Sequence, residues 1–293
     1  MPAVSSKFLA ARFSFPAASA VAAGTSLGIA DVLAKLVLAD GCDVLTMLLL
    51  RSAVGIAFLA GWLRLGVNAH VSPRHRWISM ANGVLFAGVT FCLFEAIAVI
   101  DVPTAILSYF VYPLMTGLGA SVFGLEPVRW RGFLSAGVAF CGLTVMIGAH
   151  PAGLAFVGVA FALGAACFRT GMLLVTRAFL VGADARVTTF YTQLTSMIVF
   201  LAVLLATQTW NAPQTTTGWL SLIGVSFGST AGIFFLFLST VRIGPFRTAL
   251  IMNLEPLTVT ILSAILLGEV ITPIQGVGSA VMLAALVAFQ LWQ

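Results

Sequence analysis

Six ionisable side chains stand inside long apolar stretches of this 293-residue chain: Asp31, Lys35, Arg51, Glu95, Arg169 and Glu255. In lipid, a charge at the centre of a spanning helix costs roughly 2.5–3.5 kcal/mol on insertion scales, so each needs a partner or water. A carboxylate so placed can take up a proton or hold an ammonium group, and an arginine can grip a carboxylate through two parallel hydrogen bonds. Asp31 and Lys35 are four apart and share one helix face. Counting inward from the ends of their stretches, at about 1.5 Å per residue, puts Asp31, Lys35, Arg51 and Glu95 in the outer half of the membrane. Arg169 and Glu255 fall about equally deep from the other side. The sequence therefore predicts two networks of zero net charge, Asp31/Lys35/Arg51/Glu95 and Arg169–Glu255. Locking helices together and handling a charged solute are both open to them.

Two prolines, Pro113 and Pro256, fall in mid-stretch, where each removes a backbone donor and frees a carbonyl one turn earlier. Such breaks persist in a membrane where backbone is buried in protein or lines a watery cavity, so both prolines are expected to kink or hinge their helices. Gly24, Gly28, Gly88, Gly228 and Gly232 are expected to let helices approach closely, with the Gly228–Gly232 spacing serving packing within the fold.

The elements that position these residues must lie in lipid. Apolar residues make up 60% of the chain and charged ones 8%, too few charges to build an aqueous surface. Ten apolar segments have spanning length: 15–38, 42–63, 77–99, 102–123, 130–149, 152–177, 186–207, 217–241, 246–267 and 271–291. With the N-terminus in the cytoplasm, Lys7, Arg12, Arg64, Arg74, Arg76, Arg129, Arg131, Arg177, Arg186, Arg242 and Arg247 all fall inside, and only Lys35 lies near the other face. The net charge of +5 is thus a topology signal, and no exposed stretch interleaves basic with aromatic residues as nucleic-acid binding would require. Lys7 and Arg12 before Ala18-Ser19-Ala20 have the form of a signal peptide, but cleavage there would leave nine spans and spoil the charge asymmetry.

The chemistry that this sequence excludes is also informative. Cys42, Cys92, Cys141 and Cys167 are scattered and form neither a metal pattern nor a disulfide framework. His70, His75 and His150 sit in predicted loops, and no P-loop, HExxH or nucleophile elbow occurs. No enzymatic activity, metal or cofactor is expected.

The chain repeats itself. Thr104–Gly132 reappears as Thr248–Gly276: a Thr-Ala pair opens each run, a proline follows, and a glutamate stands 13 residues beyond it, Glu126 after Pro113 and Glu269 after Pro256. At an offset of 142, Pro103 aligns with Pro245, Arg51 with Gln193 and Lys35 with Arg177. Residues 13–150 and 151–293 are therefore expected to be two five-helix repeats. Five is odd, so the second copy enters the membrane from the opposite side. The predicted fold is an all-α polytopic membrane protein of ten transmembrane helices, arranged as two inverted five-helix repeats with a site between them near the midplane.

With its proline, its terminal glutamate and an arginine in helix 2 (Arg51), this arrangement resembles the drug/metabolite transporter superfamily, specifically its ten-helix EamA-type members. YddG-like amino acid exporters are among them. The resemblance spans nearly the whole chain and implies a secondary transporter in a bacterial-type inner membrane, with both termini cytoplasmic. Its implied task is the export of small amphipathic metabolites, above all amino acids, aromatic ones included, by alternating access. The lipid bilayer and a small-molecule substrate would be its partners, as monomer or weak homodimer. From the helices that line the cavity in that fold, Phe91, Phe94, Tyr109, Tyr112, Phe234 and Phe237 join Glu95, Arg169 and Glu255 as candidate cavity residues. A nucleobase, quaternary amine or sugar derivative is the alternative cargo. An intramembrane enzyme or lipid-handling protein is the alternative class, and it would need acid–base or nucleophilic residues clustered near one face.

Overall fold

The computed structural model describes residues 15–65, 72–100, 102–147, 156–267 and 272–291. Among these all regular elements are helices: α1 (Phe15–Ala39), α2 (Val44–Leu65), α3 (Pro73–Val99), α5 (Trp130–Ile147), α6 (Phe156–Phe179), α7 (Ala185–Thr207), α8 (Thr216–Ile243) and α10 (Pro273–Leu291). The fourth and ninth spans are each two helices end to end, α4a (Val102–Tyr109) with α4b (Tyr112–Val122), and α9a (Pro245–Ile251) with α9b (Leu254–Leu267). Lipid offers the backbone no hydrogen bonds, which is why uninterrupted apolar runs resolve as helices. Glu269, Lys7, Arg12, His70, His150 and the predicted 150/151 junction lie outside the described residues.

The observed ends fall within a few residues of those predicted. One such shift is α3, which begins at Pro73 rather than residue 77. Proline suits the first turn of a helix, and the polar Arg74-His75-Arg76 turn stays helical although it is too polar to count as span. Among the described residues, eight spans are long and apolar enough to cross a membrane alone. Two apolar helices are shorter, Trp130–Met146 within α5 and Pro273–Phe289 within α10. These two pack on each other where Gly142 and Gly278 meet. A Cβ on Gly142 would lie 2.6 Å from the Met282 nitrogen, so only glycine admits this crossing.

Helix neighbours obey a two-fold exchange. α1 packs on α8 as α6 packs on α3, and α2 meets α8 as α7 meets α3. The pairs α2–α7 and α5–α10 map onto themselves. These are the contacts that inverted five-helix repeats must make. The glycine stripe of α8 is spent on α1: added Cβ atoms on Gly228 and Gly232 would meet Ser26, Ala30 and Leu27. Gly88 lies under the Phe168 ring, and Gly24 and Gly28 lie against the first turn of α9b.

The two ends of the bundle differ in charge. Arg64, Arg74, Arg76, Arg129, Arg131, Arg177, Arg186, Arg242 and Arg247 all stand at helix ends on one face, called here the basic face. There Asp184 caps α7, accepting from the Arg186 amide at 2.8 Å and pairing with its guanidinium. On the opposite face, Asp40 accepts from the Gln214 and Thr215 amides at 2.7 and 2.9 Å. Asp43 accepts from Thr46 and, at 2.7 Å, from the Asn211 amide. These two carboxylates tie the α1–α2 loop of one repeat to the α7–α8 loop of the other.

Candidate functional site: facing charges between the repeats

Both broken helices interrupt at the same place in their repeats. α4a ends at Tyr109, two residues turn, and α4b opens with Tyr112-Pro113. α9a ends at Ile251, two residues turn, and α9b opens with Leu254-Glu255-Pro256. Each proline lies in the first turn of the second half-helix, where its missing donor leaves no intrahelical bond unmade. Glu255 thus occupies the place in the second repeat that Tyr112 holds in the first.

Arg169 of α6 reaches this level from a helix that packs on α4a and α4b. It is 3% exposed, with its guanidinium carbon 5.7 Å from the centroid of the Tyr112 ring. Tyr112 is fully buried and its ring meets those of Tyr109 and Phe110 at 5.2 and 5.5 Å. The Tyr112 hydroxyl lies near the guanidinium, yet their geometry falls short of a hydrogen bond. The hydroxyl and Arg169 Nε therefore both stay buried without a partner among the described residues. Thr170 Oγ1 donates to the Tyr112 carbonyl at 3.4 Å and lies 3.3 Å from Thr116 Oγ1. Native structures satisfy almost all buried polar groups, so these two atoms retain hydrogen-bonding capacity that the described residues do not use.

Asp31 of α1 faces this group. α1 reaches α9b through Gly24 and Gly28, where a Cβ on Gly28 would lie 2.9 Å from the Glu255 carbonyl oxygen. One turn further along, Asp31 and Glu255 come close enough to interact. Arg51 of α2 acts on Asp31 more than Arg169 or Lys35 does and lies 5.9 Å over the Phe86 ring, while Arg169 is felt by Asp31 and Glu255 alike. Neither carboxyl comes within 4.0 Å of a guanidinium among the described residues. Asp31 and Lys35 are accessible to solvent, although Asp31 is enclosed by helices. They therefore line an internal cleft. Lys35 Nζ donates to Ser263 Oγ of α9b at 3.3 Å.

The charged residues consequently form one group where two were predicted, because Asp31 sits against Glu255. Counting depth from span ends assumes straight, upright helices, whereas α9 breaks beside Glu255. The structure does not bring in Glu95, which is half-exposed on α3 one turn from Cys92 and in no salt bridge among the described residues. Among the candidate aromatics, Tyr109 and Tyr112 are in the group. Phe94 packs with Leu48, Ala87 and Phe200 at the α2–α3–α7 junction, and Phe91 meets Phe161 on an exposed face. The Phe234 ring meets that of Trp62 at 5.3 Å, tilted by 58°, and Phe237 is core. Phe110, Thr116 and Thr170 belong to the site without having been singled out. Phe110 lies beside Tyr109, but nothing in its spacing distinguishes it from the other phenylalanines. No three His, Cys, Asp or Glu side chains among the described residues converge as a metal site.

The cleft is closed on the basic side. α4b packs on α9a, with Gly117 under the Phe246 ring, so that a Cβ there would lie 2.7 Å away. The outer halves α4a and α9b make no comparable contact among the described residues. Glu126, after α4b and 6% exposed, seals the closed end. It accepts from the Phe246 amide at 2.9 Å and pairs with Arg247 Nε at 3.3 Å, with Arg177 also nearby. Burial pushes its carboxyl above the ordinary glutamate value, against these partners. Gly244, at φ 102°, turns the chain from α8 into α9a exactly where Glu126 presses against it; any Cβ there would collide with the carboxyl.

A family model described as the EamA-like transporter family matches residues 15–148 and again 156–289. One solved structure, described only as a protein crystal structure, shares the fold with a TM-score of 0.78 at 18% identity. The match covers 94% of this chain and 97% of that one. No curated protein matches the chain significantly.

Proposed function

The chain belongs to the EamA-like transporter family, and on that premise we propose that it exports small amphipathic α-amino acids by alternating access. The carrying observation is the buried, unsatisfied Arg169 Nε and Tyr112 hydroxyl across from the Asp31 and Glu255 carboxyls. An α-amino acid carries the complementary charges on a single carbon. Its carboxylate suits Arg169, Tyr112 and the amide end of α4b, where the helix dipole favours negative charge. Its ammonium suits Asp31 and Glu255, and the rings of Tyr109 and Phe110 suit an apolar side chain. A quaternary amine would use only the carboxyls and leave Arg169 unsatisfied.

In this reading the basic face is cytoplasmic, as the positive-inside rule requires, and the N- and C-termini lie on that side of a bacterial-type inner membrane. The structure is then an outward-open state. The repeats exchange roles when α4b parts from α9a and α4a closes on α9b, and Pro113 and Pro256 mark the hinges. One monomer holds every group this cycle uses.

The test is efflux from proteoliposomes loaded in turn with each of a panel of labelled amino acids, against protein-free vesicles. Saturable efflux of a subset, lost in Arg169→Lys, is the expected result. No flux of any amino acid from correctly inserted protein refutes the reading and leaves the family standing.

A further inference from the structure

We propose that a cavity on the basic face binds an anionic phosphate group, the chemistry that acidic lipid headgroups and soluble phosphate share. The cavity measures about 240 Å³ and lies at the end where the cleft is closed, beside the loop that leads from α4b into α5. Its walls carry Arg129 and Arg131 from the first repeat and Arg247 from α9a, with Phe246 and Phe289 on the apolar side. Glu126 is the one carboxylate among the described lining residues. Both its oxygens are already engaged, one by the Phe246 amide at 2.9 Å and one by Arg247 Nε at 3.3 Å. It is 6% exposed, so little of it faces an incoming anion. Arg129 and Arg131, by contrast, are exposed and enter no salt bridge among the described residues.

Three arginines thus stand against one glutamate, and their chemistry favours phosphate. A guanidinium presents paired donors that match two phosphate oxygens, and three of them around one cavity suit an anion with acceptors on several sides. The positive-inside rule accounts for basic residues in this loop. It requires neither a concavity nor guanidiniums that converge from two repeats. The level in the membrane also fits. Trp130 stands between the two arginines in sequence, is 70% exposed, and has Arg131 5.9 Å over its ring. Tryptophan and arginine at the end of a spanning helix mark the headgroup level, where basic pockets between helices hold acidic headgroups. Arg131 and Gly132 belong to the first turn of α5, whose dipole adds to the attraction. Held from α9a and from the entrance to α5, the anion bridges the repeats on the side where α4b meets α9a. None of this depends on which solute crosses.

Thermal unfolding of the full-length protein in a neutral detergent tests the site, because a ligand of the folded state raises its unfolding temperature. One arm adds phosphatidylglycerol against phosphatidylcholine, whose phosphate carries its own cation, at equal mole fraction. The other adds sodium phosphate against sodium chloride at equal ionic strength. The wild type should gain several degrees, saturably, over the control in at least one arm. Arg129→Gln/Arg131→Gln should lose that gain. Arg74→Gln/Arg76→Gln removes the same charge from the basic face outside the cavity and should keep it. A gain with phosphatidylglycerol alone identifies a lipid headgroup held together with its chains. A gain with phosphate, alone or as well, shows that the free anion suffices. No wild-type gain in either arm overturns the proposal, whatever the variants do. So does a gain that Arg129→Gln/Arg131→Gln retains, or one that both double variants lose equally.

Discussion

Tyr112 and Glu255 are counterparts: each directly precedes the proline in the first turn of a second half-helix, and both interact with the guanidinium of Arg169. The repeats have diverged here from a shared position into a phenol and a carboxyl, so a symmetric scaffold presents an asymmetric site. One side of the cleft favours an anion and the other a cation.

Arg169 should resist even conservative replacement. Lysine lacks the planar fork and the ring stacking that Tyr112 receives, so Arg169→Lys should lower efflux at least about tenfold, or ~1.4 kcal/mol. Arg169→Met leaves Glu255 and Asp31 without their shared cation and should lower thermal stability. Uncompensated buried charges cost about 3–5 kcal/mol. The double variant Arg169→Met/Glu255→Gln should recover much of that stability, measured by thermal unfolding in detergent. A double variant no more stable than Arg169→Met would show that the two do not couple.

Glu126 should hold the basic side shut. Glu126→Ala removes the partner of the Phe246 amide and of Arg247, and a hydrogen bond to a charged group is worth about 1.5–3 kcal/mol. In a cysteine-free background carrying Ala120→Cys, a membrane-impermeant maleimide applied to the basic side should react several-fold faster when Glu126 is replaced. Equal labelling rates would remove Glu126 from the gate.

Gly278 and Gly276 lie two residues apart and should behave oppositely. A Cβ on Gly278 would sit 2.7 Å from the Gly142 carbonyl oxygen, whereas one on Gly276 meets nothing within 4 Å. Gly278→Ala should lower the unfolding temperature through a clash of about 1–3 kcal/mol. Gly276→Ala should leave it unchanged or raise it slightly. A similar response from both would mean that α5 and α10 are not in this contact.

Two carboxyls on the basic face should give opposite pH responses. The Arg186 side chain and amide hold Asp184 below its ordinary value of 3.8, so its contribution is present above that value and lost as pH falls through the depressed one. The stability deficit of Asp184→Ala, about 1 kcal/mol for a lost cap, should therefore be seen at neutral pH and disappear in strong acid. Burial raises Glu126 above 4.5, so its contribution is present below that value and is lost as pH rises through the raised one. Wild type should accordingly lose stability relative to Glu126→Gln as pH rises. Thermal unfolding across pH reads both, and the same slope for the two variants would contradict the assignment.

Much of this architecture is written in runs of apolar residues, because in lipid the length of a run and the sign of its flanking charges leave few options. The breaks were equally legible, since Pro113 and Pro256 remove backbone donors at fixed places. What joins Asp31 to Glu255 is not local: it depends on Gly24 and Gly28 bringing α1 onto the first turn of α9b, a crossing that either residue's own neighbourhood does not announce. Glu95 illustrates the converse. It has the right residue type at the right depth, but the rotation of α3 decides its surroundings, and a helix apolar on all sides gives no phase from which to read that rotation. Phe94 and Phe234 went to helix packing for the same reason.

With Glu95 standing apart, the charges of the site do not cancel: Lys35, Arg51 and Arg169 stand against two carboxyls, an excess of one positive charge when all are ionised. A membrane voltage does work only on net charge, about 2.3 kcal/mol per elementary charge for each 100 mV. A zwitterion carries equal and opposite charges, so its binding leaves that excess unchanged. In the proposed cycle the voltage therefore does the same work on the empty and the occupied carrier, and the passage of the solute itself is electrically silent.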